Sequence, residues 1–195
     1  MRKVLLVIII FLLVIIIYFL NRDTDIYVLS IGDYVVLNNR NFDNSIKKFF
    51  GEKLEKNVLY GNDGDYRIID LINDINNNKK FISGDSEYTL NNAMIKADII
   101  FISIGINDFN FNKNDNYDYM DEVLNDLDRL FSIVRRYCKE RIVIFYYNLD
   151  NDKLNFYVNN KLDRLATKYD INIIEFFDDY NVLNKKIINY LDNLY

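Results

Sequence analysis

Two short segments carry the residue types that could do chemistry. Ile26-Tyr27-Val28-Leu29-Ser30-Ile31 runs into Gly32-Asp33-Tyr34, and Ile99-Ile100-Phe101-Ile102-Ser103-Ile104 runs into Gly105-Ile106-Asn107-Asp108. In each, an apolar run stops at a glycine followed by polar side chains. Buried parallel strands deliver side chains to the carboxyl edge of a sheet in this way, and α/β proteins place their sites there. Between the two lies a glycine-bounded turn, Gly61-Asn62-Asp63-Gly64. Together these residues could supply a carboxylate (Asp33), a phenol (Tyr34) and a side-chain amide (Asn107). They do not suit proton transfer at neutral pH, because the chain has no histidine.

The elements that position these residues follow from periodicity. Apolar runs predict strands over 26–31, 57–60, 99–104, 141–146 and 171–176. Amphipathic patterns predict a helix carrying Ile46, Phe49, Phe50 and Leu54, then helices over 66–75, 89–96, 117–138, 153–169 and 182–194. The segment around Gly84 reads as a loop, as do Asn76-Asn77-Asn78 and residues 110–116, since asparagine replaces the missing proline in turns. Strands alternating with helices imply right-handed crossovers and a parallel sheet covered on both faces. The expected fold is therefore α/β, three-layered and flavodoxin-like, with strand order 2-1-3-4-5. Gly32 and Gly105 then flank a topological switch point.

The paired motifs resemble the SGNH (GDSL) hydrolase family, whose first motif reads Gly-Asp-Ser and whose later one reads Gly-x-Asn-Asp. The resemblance runs from Ile26 to about Asn107. It implies an SGNH hydrolase-like domain over 26–195, with Tyr34 at the nucleophile position and Asp33 in the same motif. It also implies Gly64 and Asn107 as oxyanion or ligand-binding donors. The family's Asp-x-x-His is matched only by Asp178-Asp179-Tyr180-Asn181, with asparagine where the base belongs. Acyl transfer needs a hydroxyl activated by a base that later protonates the leaving group. A phenol with a pKa near 10 is a good leaving group, and its ring displaces the oxygen from a serine's position. The expectation is a pseudoenzyme with a residual ligand pocket. An active esterase with a non-standard nucleophile or base, and a purely structural envelope protein, are the alternatives. The family acts on acyl esters, so a small acyl or glycan ligand outside the cell is the expected partner.

The remaining sequence bounds the setting. Residues 1–3 include Arg2 and Lys3, residues 4–20 are uncharged and almost wholly aliphatic, and 21–25 form a polar linker. Seventeen helical residues span roughly 26 Å, near the lower limit for a bilayer. No small-residue cleavage site follows, which favours a single-pass signal-anchor at the cell membrane over a cleaved signal. Arg2 and Lys3 favour a cytoplasmic tip with the domain outside. Beyond that tip, 22 basic and 29 acidic residues leave a charge of about −7 with no basic stripe, so nucleic acid is not an expected partner. No cofactor is expected, and no metal, because histidine and paired cysteine are missing. Cys138 follows an apolar helical face and reads as a packed thiol. Asp33 is as well suited to holding its turn together as to chemistry, and Asp108 to capping. Ser30 and Ser103 are expected inside buried strands, away from any base.

Overall fold

Five parallel strands in the order β2-β1-β5-β6-β7 form the centre of the molecule. The computed structural model describes residues 25–33, 40–61, 65–111, 116–175 and 180–194. The strands are β1 (Ile26–Gly32), β2 (Leu54–Gly61), β5 (Ile99–Ser103), β6 (Arg141–Phe145) and β7 (Asn172–Ile174). A separate antiparallel hairpin pairs β3 (Lys80–Ser83) with β4 (Ser86–Thr89). The helices are α1 (Arg40–Phe50), α2 (Ile68–Asn76), α3 (Leu90–Lys96), α4 (Ile106–Phe111), α5 (Tyr117–Tyr137), α6 (Asp152–Tyr169) and α7 (Tyr180–Asp192). Leaving the hairpin aside, this is the expected 2-1-3-4-5 order.

Alternation along each strand explains the unbroken apolar runs. Leu29, Ile31, Ile100, Ile102, Ile142 and Ile144 enter one core with α2, α3, α5 and α6. Val28, Ile99, Phe101, Val143 and Phe145 enter a second core against α1 and α7. A strand buried on both faces needs an apolar side chain at every position. The covering helices show why they dock: Phe42, Ile46 and Phe50 of α1, and Leu183, Ile187 and Leu191 of α7, recur every fourth residue and are all buried. Caps fix where the longer helices begin. Asn116 Oδ1 accepts from the backbone N–H groups of Asp118 and Tyr119, and Asn151 Oδ1 from those of Lys153 and Leu154.

Several boundaries differ from the sequence expectation. The loop around Gly84 is the turn of the β3–β4 hairpin, whose four-residue arms are too short and polar to signal strands by themselves. Phe81 packs between Tyr60, at 4.7 Å, and Tyr88, at 5.6 Å. Ser83 Oγ accepts from the Leu59 N–H at 3.0 Å, so the hairpin also covers part of the outer edge of β2. Leu54 belongs to β2 rather than to the preceding helix, because a 3-10 turn at Gly51–Lys53 ends that helix early. Asn110 lies in the short helix α4, not in a loop. β7 has three residues, shorter than expected. The apolar segment 4–20 lies outside the described residues. Among those described, no helix is long and apolar enough to cross a membrane.

Phe101 sits at the centre of the second core, edge-on to Phe42 at 5.3 Å and stacked with Phe145 at 6.4 Å. Phe101→Ala should cost about 3–5 kcal/mol of stability by transfer loss plus cavity formation. Urea denaturation monitored by circular dichroism would read this directly.

Candidate functional site

The carboxyl ends of β1 and β5 meet at closer range than ordinary strand pairing requires. Gly32 pairs with Ser103 in register and has φ +133°. A Cβ on Gly32 would lie 1.7 Å from the Ser103 carbonyl oxygen, so only glycine fits. The next residue then locks onto the same partner. The Asp33 N–H donates to the Ser103 carbonyl at 2.5 Å, and Ser103 Oγ donates to Asp33 Oδ1 at 3.0 Å. Asp33 is almost fully buried. Ser103, the last residue of β5, is half-buried and faces a carboxylate, against the expectation that it points away from any base. Strand residues do alternate, but Ser103 stands where the strand ends and β1 turns over it. Ser30, two pairs deeper in the sheet, is buried as expected, and its hydroxyl has no partner among the described residues.

Gly105 repeats the close approach with a side chain. It has φ +105°, and a Cβ there would lie 2.8 Å from the Tyr147 hydroxyl. Tyr147 follows β6, packs edge-on to Phe109 at 4.5 Å and donates its hydroxyl to the Ile104 carbonyl at 2.7 Å. Its backbone is bracketed by the Asn159 amide, which accepts from the Tyr147 N–H and donates to its carbonyl. Burial first, and then the nearby Asp33 and Asp108 carboxylates, push the phenol well above its usual range, so it stays neutral. Sequence reasoning missed Tyr147. It lies just past a strand with no glycine beside it, and only the parallel pairing of β5 with β6 brings it under Gly105.

Asn107 and Asp108 start α4 and reach across to α2. Asn107 Nδ2 donates to the Tyr66 carbonyl at 3.0 Å, which orients the amide and uses one of its two N–H groups. Asp108 Oδ2 accepts from the Ile68 N–H at 3.1 Å, so Asp108 caps α2 from a different element, consistent with the capping role. Burial raises the Asp108 carboxyl to about 6, against the lowering effects of the Ile68 N–H and the Arg67 charge. Tyr60, Tyr66 and Lys79 all donate to Asp74 on the same helix. Burial pushes the Asp74 carboxyl up, but these donors outweigh it and hold it below the usual range.

The structure thus brings Asp33, Asn107 and Asp108 to one sheet edge together with Ser103 and Tyr147. Tyr34, Gly64, Asp178 and Asp179 lie outside the described residues, as do the side chains of Tyr180 and Asn181 at the start of α7. Cys138 is buried at the end of α5, with its thiol 3.8 Å from the Ala97 carbonyl and its pKa raised by burial, as a packed thiol should be. Among the described residues no three His, Cys, Asp or Glu side chains converge as metal ligands do. Chemically, the edge offers a hydroxyl hydrogen-bonded to a buried carboxylate and a fixed amide. A carboxylate is a much weaker base than imidazole, so this pair binds more readily than it reacts.

No protein-family model matches the sequence, and no curated protein matches it. Among solved structures, the chain is similar to a family two carbohydrate esterase from Cellvibrio japonicus, with a TM-score of 0.53 and 13% identity. The match covers 85% of this chain and 60% of that one, so the chain spans less than two thirds of its neighbour. The likeness is one of fold. It places this five-stranded sheet and its helices on a scaffold that an esterase also uses.

Two measurements test this geometry. Gly32→Ala, which forces a Cβ into the Ser103 carbonyl, should lose on the order of 3–5 kcal/mol of stability or fail to fold, read by urea denaturation. The second concerns Asp108, whose folded pKa of about 6 exceeds the ordinary 3.8, so the native state holds its proton more tightly than the unfolded chain. Stability from this group is full below about pH 4 and is lost as pH rises to about 6, to the extent of about 3 kcal/mol. Asp108→Asn keeps an acceptor for the Ile68 N–H and should flatten that part of the stability–pH profile.

Proposed function

We propose that this chain is a membrane-anchored protein of hydrolase-like fold that binds a ligand at its strand edge without turning it over. Residues 4–20 serve as the anchor, and the domain lies outside the cytoplasm. The ligand is an acyl or glycan compound presenting a polarised oxygen. The carrying observation is the absence of any histidine from a chain whose strand-edge carboxylate, Asp33, is already buried and bonded by Ser103. With neither an imidazole nor a serine after Gly32-Asp33, the two-stage proton transfer of ester hydrolysis has no carrier. Loss of nucleophile and base together costs on the order of 10⁶ in rate in a serine protease, which is the scale expected here. Asn107 supports retained binding, since its amide is held in place by the Tyr66 carbonyl. The likeness to a carbohydrate esterase supports the scaffold and the ligand class by analogy.

A second reading has one observation in its favour. The Ser103 hydroxyl donates to Asp33 Oδ1, the contact that a serine nucleophile would make with a carboxylate base. One experiment separates the two. The full chain is incubated with p-nitrophenyl acetate and, separately, with a fluorophosphonate probe followed by peptide mass spectrometry. The expected result is no burst, no turnover above buffer and no adduct. A phosphonylated Ser103 would establish the esterase reading, and an adduct on Tyr34 would equally overturn the proposal.

A further inference from the structure

An open groove of about 690 Å³ runs along α6 near the N-termini of α5 and α6, lined by Tyr117, Lys153, Phe156, Tyr157, Lys161 and Arg164. Its aromatic content is uncommonly exposed: Phe156 is 73% and Tyr117 44% accessible. On α6, residues 153, 157, 161 and 164 recur at helical spacing and so share one face. Part of that face is already committed. Lys161 bonds Asp121 at 2.6 Å and lies 4.6 Å from the Tyr157 ring centroid, while Tyr117 packs edge-on to Tyr157 at 4.8 Å. Lys153 and Arg164 are exposed, and neither makes a salt bridge or side-chain hydrogen bond among the described residues. One carboxylate, Asp152, shares the groove with them. A chain of net charge −5 therefore presents unpaired positive charge along one face of α6.

We infer that this groove binds an anionic saccharide, with a neutral sugar ring on Phe156 and its terminal acidic group at Arg164, about two helical turns away. The flat C–H face of a pyranose is apolar and slightly positive, matching the negative face of an exposed aromatic ring. Asn160 beside it donates to the Phe156 carbonyl but leaves its amide oxygen free to accept from a sugar hydroxyl. The groove continues through Asp152, Phe156 and Asn160 into a second depression of about 480 Å³. That end carries Asp163 and Glu175, which would repel a phosphodiester chain carrying a charge at every unit. A saccharide with an acid at one end and neutral hydroxyl-rich units at the other meets both halves. This site goes beyond the strand-edge reading. Covalent labelling reports on Ser103 and Tyr34, and sugar binding reports on α6, so either result can fail without the other.

The test is calorimetric titration of the full 195-residue chain in detergent with glucuronosyl-xylobiose, neutral xylotriose and hexathymidylate at millimolar concentration. Glucuronosyl-xylobiose, with one terminal acid, should bind saturably and about tenfold or more tighter than xylotriose. Phe156→Ala and Arg164→Ala, both at exposed positions, should each weaken it about fivefold or more with unchanged circular dichroism. Absence of saturable binding, equal affinity for the neutral sugar, tighter binding of the oligonucleotide, or indifference to Phe156→Ala would overturn the inference.

Discussion

The contact between Gly32 and the Ser103 carbonyl governs the arrangement of the strand edge. At 1.7 Å from where a Cβ would be, the carbonyl admits no side chain, so the β1 backbone can turn directly over the end of β5. That turn seats Asp33 in a buried position, where its N–H and carboxylate both reach Ser103. Gly105 does the same on the next strand pair, leaving room for the Tyr147 ring. Both glycines lie where strand order reverses, where neighbouring crossovers run to opposite faces and leave a crevice. Both positions demand glycine, since the Ser103 carbonyl at Gly32 and the Tyr147 hydroxyl at Gly105 occupy the space of a Cβ.

The residues of the second motif also hold the structure together. Asn107 and Asp108 come from the start of a six-residue helix that has little core of its own. Both bond backbone groups at Tyr66 and Ile68, in the approach to α2. Both side chains therefore serve stability, because removing either would strand a polar backbone group in a mostly buried region. The raised carboxyl of Asp108 shows the cost: the capping charge is only partly compensated by Arg67 and the Ile68 N–H.

Charge distribution sets the rest of the surface apart from that edge. Most described ion pairs are exposed and contribute little individually to stability. Lys153 and Arg164 are different in lacking such partners while lying beside exposed rings. Their effect is on what the surface attracts rather than on how firmly the chain folds.

How much of this was legible beforehand depended on whether the signal was local. The apolar runs at 26–31 and 99–104, with the four-residue spacing of Phe42, Ile46 and Phe50, specified a parallel sheet covered on both faces, because burial on two sides demands those patterns. Glycine at 32 and 105 marked the strand edge, and the missing histidine is a fact of composition. The β3–β4 hairpin was illegible because its order comes from packing Phe81 against Tyr60, twenty-one residues away. Ser103 could not be paired with Asp33, nor Tyr147 placed under Gly105, since those partners are 70 and 42 residues apart in the chain. Sequence alone therefore determined the layers and the inventory of reactive groups. The tertiary structure decided which groups touch, because the pairing and register of strands distant in sequence, rather than any local preference, set those distances.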